Sequence, residues 1–199
     1  MSTETSEYSA PAIADPAPLG LAGFAMTTMA LSFANAHIIT EAGGGAIVLA
    51  LALFYGGIAQ FAAGLWEFRR GNTFGATAFS SFGAFWLSYW AIGHWGAAGD
   101  IHQALGLYLL SWALFTAYMT VAALKTTTAT LAVFVVLTLT FIFLGIGALQ
   151  NDVVPGTVAS MTKVGGYLGI VTALLAWYAS AALVINSTHK KDVLPTLPR

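Results

Sequence analysis

Neutral hydrogen-bonding side chains lie deep inside the apolar runs of this sequence, among them Thr27, Thr28, Asn35, Gln60, Thr77, Ser80, Ser81, Ser88, Thr138 and Thr140. Fixed charge is absent from the middle of every run. A single Ser or Thr in a helix usually bonds back to a carbonyl of its own preceding turn. A concentration of such groups in the first and third runs, together with Gln60, instead suggests a path lined by neutral dipoles. Such a path suits a small polar solute better than a reaction centre. The nearest charged group is Glu67, just inside the Arg69 and Arg70 pair. It reads either as an interfacial carboxylate paired with one of those arginines or as a mouth residue and protonation site.

The inventory for other chemistry is thin. The chain has no cysteine, which removes thiolate nucleophiles and iron–sulfur sites. His37, His94, His102 and His189 lie near run ends or in links, without the His-x-x-x-His spacing that places two metal ligands on one helix face. A haem held between His37 and His94 would need paired histidines on several helices. A retinal Schiff base would need a mid-run lysine, whereas Lys125 and Lys163 sit at run ends. No metal, no cofactor and no enzymatic activity are expected. A formal net charge of −1 gives no argument for nucleic acid.

Positioning those side chains falls to membrane helices. Of the 199 residues 58% are hydrophobic and 8% charged, with a mean hydropathy of +0.78. A water-soluble domain carries about 25% charged residues, so the partner of this surface is the lipid bilayer. Six apolar runs, near 18–39, 45–66, 73–96, 104–124, 128–149 and 164–186, each approach the roughly 20 residues that cross a bilayer as helix. Barrel strands would alternate and be half as long. The expected fold is therefore an all-α integral membrane protein of six transmembrane helices spanning 15–187, with tails at 1–14 and 188–199. Links such as "EFRRGN" and "KTTT" force neighbouring helices to be antiparallel, while "NDVVPGTVASMTK" is long enough for a re-entrant or interfacial piece.

With a cytoplasmic N-terminus, the inner links and tails hold Arg69, Arg70, Lys125, Lys190, Lys191 and Arg199, and the outer ones only Lys163. That bias predicts both termini in the cytoplasm. Gly56, Gly57 and Gly64 in the second run, and Gly165 and Gly169 in the sixth, fit close packing through small faces. In the first run Phe24, Thr28, Leu31 and Asn35 share one face. Trp66, Trp90, Trp95 and Tyr89 read as interfacial anchors.

The stretch "DPAPLGLAGFAMTT" (15–28) resembles the Asn-Pro-Ala-Pro-Leu-Gly-Leu signature of the acetate uptake transporter family, which includes the succinate–acetate permeases. The resemblance continues through "FYGGIAQFAAGLWEFRRGNTFGATAFSSFGAFWL" (54–87) and "LYLLSWALFTAYMTVAALK" (107–125). It implies a homohexamer of six-helix protomers, each with its own pore, similar to the proton-gated urea channels. It also implies acetate, and in some members succinate or other short acids, as substrate. The family's apolar constriction maps onto Phe24, Phe82 and Leu137. Two positions depart from the pattern: Asp15 stands where the signature has Asn, and Phe82 where close bacterial relatives have Tyr.

These residues predict a path in which Thr27, Thr28, Asn35, Gln60, Ser81 and Thr138 are substrate-binding candidates and Asp15, Pro16, Pro18 and Gly20 form the helix entrance. Pro16 and Pro18 suit a first turn, where N–H groups lack intrahelical partners. The free N–H groups there, at the positive end of the dipole, offer a place for a carboxylate. A channel for urea, formic acid or ammonia, or a non-transporting membrane sensor, uses the same inventory of residues.

Overall fold

The computed structural model describes residues 13–41, 43–96, 100–150 and 160–197. Six helices build it: α1 (Ala17–Asn35), α2 (Gly44–Arg70), α3 (Thr73–Trp95), α4 (His102–Ala123), α5 (Thr128–Gln150) and α6 (Ser160–His189). Five of them are long and apolar enough to cross a membrane. The other, α3, has 23 residues, or about 34 Å at 1.5 Å per residue. Its threonines, serines and glycines make it less hydrophobic than the rest, and it carries the most enclosed aromatic side chains of the bundle.

The helix ends shift from the expected limits for local reasons. α1 stops at Asn35 rather than at 39, because His37 takes a left-handed conformation (φ 59°) and its N–H closes onto Ala34. α2 runs on to Arg70, where Gly71 supplies the left-handed residue (φ 74°) that ends it. Asn72 then caps α3 by accepting the Gly75 N–H at 3.1 Å. The links at 97–99 and 151–159, which include most of the expected re-entrant piece, and tail residues 1–12 lie outside the described residues.

The bundle is a ring in which α3 packs on α2, α2 on α1, α1 on α6, α6 on α5, and α5 on α4. Small residues set the closest approaches. A methyl group added at Gly166 would lie 2.7 Å from the Asn35 carbonyl carbon, so α6 meets the α1 backbone directly. Hydroxyl pairs reinforce the seams, Thr120 with Thr138 at 3.1 Å and Thr140 with Thr172 at 3.3 Å.

Between α3 and α4 few backbone groups approach, and rings fill the gap instead. Phe82 lies 6.0 Å from Trp112 and 5.4 Å from Phe115, and Phe85 lies 5.2 Å from Trp112 and 5.8 Å from Tyr108, centroid to centroid. Within α2, Phe54–Ala59 forms a π-helical turn. Gly56 lets this turn pack closely on α1 and α3, since a Cβ there would strike the Thr27 hydroxyl and the Trp86 ring. Such a turn inserts an extra residue and changes the direction in which the later side chains of the helix point.

Candidate functional site

Beyond that turn, α2 directs Gln60, Ala63, Gly64 and Glu67 into the bundle. Gln60 reaches the constriction. Phe24 of α1, Phe82 of α3 and Leu137 of α5, all but fully buried, enclose with it an apolar cavity of about 20 Å³, room for about one water. The Phe24 and Phe82 rings lie 5.7 Å apart, tilted by 54°. Phe82 is the hub, in contact also with Trp112, Phe115, Phe134 and Phe141. The Gln60 Oε1 has no hydrogen-bond partner within the protein. A desolvated solute would therefore meet one amide in an otherwise greasy ring.

Next to this ring, toward the end of the bundle that carries Arg70 and the start of α1, lies a vestibule of about 200 Å³. The two spaces share Leu21, Ala78, Phe79 and Phe134 as walls. Glu67 lines the vestibule with 0% of its surface exposed. Its Oε2 accepts from Asn72 Nδ2 at 2.9 Å, while its Oε1 has no partner in the protein. Gly75 makes room for this arrangement, because a Cβ there would lie 2.6 Å from Asn72 Nδ2 and 2.8 Å from Glu67 Cδ. Thr126 and Thr130 supply polar groups from the α5 side. Gln60 and Glu67 are seven residues apart on one helix face, hence about 10 Å along the axis.

Of the two readings of Glu67, the pairing with Arg69 or Arg70 is not the one the structure shows. Arg70 Nη1 donates instead to Asp15 Oδ1, and Asn72 takes Glu67. Asp15 also accepts the Ala17 N–H at 3.0 Å, just ahead of the helix. This reduces the number of N–H groups that the α1 N-terminus can offer to a carboxylate. Pro16 and Pro18 bring no N–H, Ala17 is bound to Asp15, and Gly20 is closed onto the Pro16 carbonyl. Pro16 stands at the cap position and Pro18 in the first turn, whose carbonyl accepts from Ser180 of α6 at 2.7 Å. Gly20 packs against the Phe79 ring.

Other sequence candidates are placed elsewhere. The Thr27 hydroxyl donates to Gly23 O at 2.8 Å and approaches Leu51 O, holding α1 to α2. Thr138 donates to Phe134 O and meets Thr120. Ser81 is half-buried and outside the cavity lining, and Asn35 ends α1 beside Gly166. Thr28 is buried one turn beyond Phe24, its hydroxyl without a protein partner. Tyr89, read as an anchor, lies half-buried against Phe85 and Trp86, whereas Trp66 and Trp95 are exposed. Among the described residues no cluster of His, Cys, Asp or Glu is arranged to hold a metal. Asn72 was not foreseen, although an Asn directly ahead of an apolar run is an N-cap signal.

A ring of apolar helices around a narrow aromatic constriction, with a buried carboxylate in the vestibule beside it, defines a multi-pass membrane protein with a solute path. The chain belongs to the GPR1/FUN34/yaaH family, which it matches over residues 1–198. This agrees with the resemblance to acetate uptake transporters. It is 43% identical over 180 residues to "Ammonia transport outward protein 2" of Saccharomyces cerevisiae, covering 85% of this chain and 61% of that one. It is 40% identical over 187 residues to the "Succinate-acetate/proton symporter SatP" of Escherichia coli strain K12, covering 92% of this chain and 95% of that one. A solved structure described as that of the bacterial acetate channel SatP superposes with a TM-score of 0.85 at 39% identity, covering 93% of this chain and 99% of that one. The chain spans between 61% and 65% of the length of its fungal relatives.

Proposed function

We propose that this protein is a channel or transporter for acetate and related short-chain carboxylates, succinate among them, with flux linked to protons or to the acid form. The observation that carries this reading is the constriction of Phe24, Phe82, Leu137 and Gln60 sharing the walls Leu21, Ala78, Phe79 and Phe134 with the Glu67 vestibule. An isolated carboxylate moved into low dielectric costs tens of kcal/mol in the Born limit. No lysine or arginine lines the ring to offset that cost. A solute that crosses it therefore does so as neutral acid or with a proton in company, and Glu67 is the group to which we assign proton exchange.

The role is transport, not catalysis. By the six-against-one distribution of basic residues we place both termini in the cytoplasm, with the vestibule facing inward, in the plasma membrane. By family resemblance we assign a homohexamer with one path per protomer. Uptake of labelled acetate into vesicles containing the purified protein tests the reading. Carboxyl groups ionise around pH 4 to 5, so uptake should climb as external pH is lowered from 8 to 5. Acetate flux no greater than in empty vesicles would refute it.

An apolar ring with room for about one water also suits ammonia, the cargo named in one relative. Methylammonium or ammonia flux in the absence of acetate flux would favour that alternative.

A further inference from the structure

We propose that the vestibule is a carboxyl-binding subsite in which the substrate and Glu67 share a single proton, with Asn72 as the residue that positions Glu67 for it. The inference rests on the acetate reading and gives it a mechanism. A buried oxygen without a hydrogen-bond partner is costly, about 1–3 kcal/mol for a neutral group and more for a charged one. Glu67 Oε1 is such an oxygen, enclosed beside Gly75 on a residue that lines the vestibule, so that a substrate meets it through a small turn of the carboxyl group.

Its partner has to be a donor. An incoming carboxylate anion offers only acceptors, so two ionised carboxyl groups would face each other in a desolvated space, where like charges cannot both persist. A carboxylic acid offers one O–H. The same pair also forms if the anion meets a protonated Glu67: one O–H donates, one oxygen accepts, and the proton lies between them. Both routes leave the pair with a charge of −1: where Glu67 is ionised beforehand one proton is taken up per anion, and where it is already protonated it brings that proton itself and none is taken up.

Asn72 determines which Glu67 oxygen takes part. Its Oδ1 is committed to the Gly75 N–H, so its amide cannot flip without losing the α3 cap, and Nδ2 must donate. Oε2 is thereby held as an acceptor, and Oε1 is left for the proton and the substrate. The Thr130 hydroxyl in the opposite wall, able to accept from Thr127, is suited to donate to the second substrate oxygen, whereas Thr126 already donates to Ala123 O at 2.7 Å. The charged groups that act on Glu67 are Asp15, ahead of α1, and Arg70 on its own helix, and these are paired with each other. The α3 and α5 walls present neutral side chains, as does Leu183 of α6.

The experiment is acetate binding to the purified full-length protein by calorimetry, in buffers of differing ionisation enthalpy, between pH 5 and 8. Wild type should take up about one proton per acetate at the upper end of this range, where Glu67 is ionised before binding, and fewer toward pH 5, where it already carries the proton. Glu67→Gln keeps the shape but cannot hold the proton, and its amide donates to the anion directly. Proton uptake should then fall toward zero and affinity should lose its pH dependence. Asn72→Asp keeps the α3 cap and replaces the donor by a like charge, so the pH profile of uptake should move upward by about one unit. Unchanged proton uptake and pH profile in Glu67→Gln would overturn the shared-proton subsite. An unmoved profile in Asn72→Asp would overturn the positioning role. Wild type that neither binds nor conducts acetate would instead refute the acetate reading itself.

Discussion

The guanidinium of Arg70 donates to the carboxylate of Asp15, tying the last turn of α2 to the segment that starts α1. Both side chains are about one-third exposed, so the pair is screened and is worth at most about 1 kcal/mol of stability. Its larger effect is on charge at the mouth, where it neutralises an arginine within reach of arriving anions. Asp15→Asn keeps an oxygen for the Ala17 N–H and releases Arg70. The Michaelis constant for acetate entering from this side should fall by a factor of about two to five, and the gain should vanish at high salt. An unchanged constant at low ionic strength would show that Arg70 does not attract substrate.

The ring of Phe24 and Leu137 sets the size limit. Either residue replaced by Ala removes a wall of a cavity that holds about one water. The lactate-to-acetate uptake ratio should rise by about tenfold, within the range that a missing methylene or methyl contributes to selectivity. Truncation of buried Phe or Leu also costs about 2–5 kcal/mol. The ratio, taken on the same vesicles, cancels the loss of folded protein. A ratio equal to the parent's would remove these two residues from the filter.

Phe82 and Gln60 line the same cavity, and the Gln60 oxygen has no partner in the protein. A phenolic hydroxyl introduced by Phe82→Tyr supplies a donor beside it. Acetate affinity should change by about fivefold, the equivalent of one hydrogen bond of about 1 kcal/mol. The effect should disappear when Gln60 is already Leu. Equal effects of Phe82→Tyr in both backgrounds would show that the hydroxyl acts independently of Gln60.

The spans were legible because continuous apolarity over 20 residues has one physical meaning in water, and their ends were less so. The end of α1 depends on a left-handed His37, which no apolar pattern announces. The π-turn at Phe54–Ala59 was hidden for a related reason. A helix with lipid on one side and an apolar core on the other shows little hydrophobic periodicity, so a shift of phase leaves no trace beyond Gly56 and Gly57. The chain has 13 phenylalanines; helical periodicity put Phe24 on the polar face of the first run, and only resemblance to a family assigned it and Phe82 to a constriction. Gln60 and Glu67 stood out by polarity, whereas their different environments, apolar ring and polar vestibule, depend on which walls α3 and α5 bring to them.

Two adjacent glycines of α6 separate backbone contact from side-chain contact. At Gly166 a methyl group would press on Asn35 and Ala36 backbone atoms of α1, the Asn35 carbonyl carbon being 2.7 Å away. At Gly165 it would meet the end of the Leu144 side chain at 2.7 Å, with the Leu144 nitrogen at 3.1 Å. A leucine tip can rotate away, but the end of α1 cannot move without disturbing the seam between α1 and α6 along which the bundle closes. Gly166→Ala should therefore lower stability by about 1–3 kcal/mol, and Gly165→Ala by less than about 1 kcal/mol. Thermal melting of the purified variants, monitored by size-exclusion recovery, reads the difference. A Gly165→Ala loss as large as that of Gly166→Ala would mean that Leu144 is as fixed as backbone, and that α5, not α1, sets the position of α6.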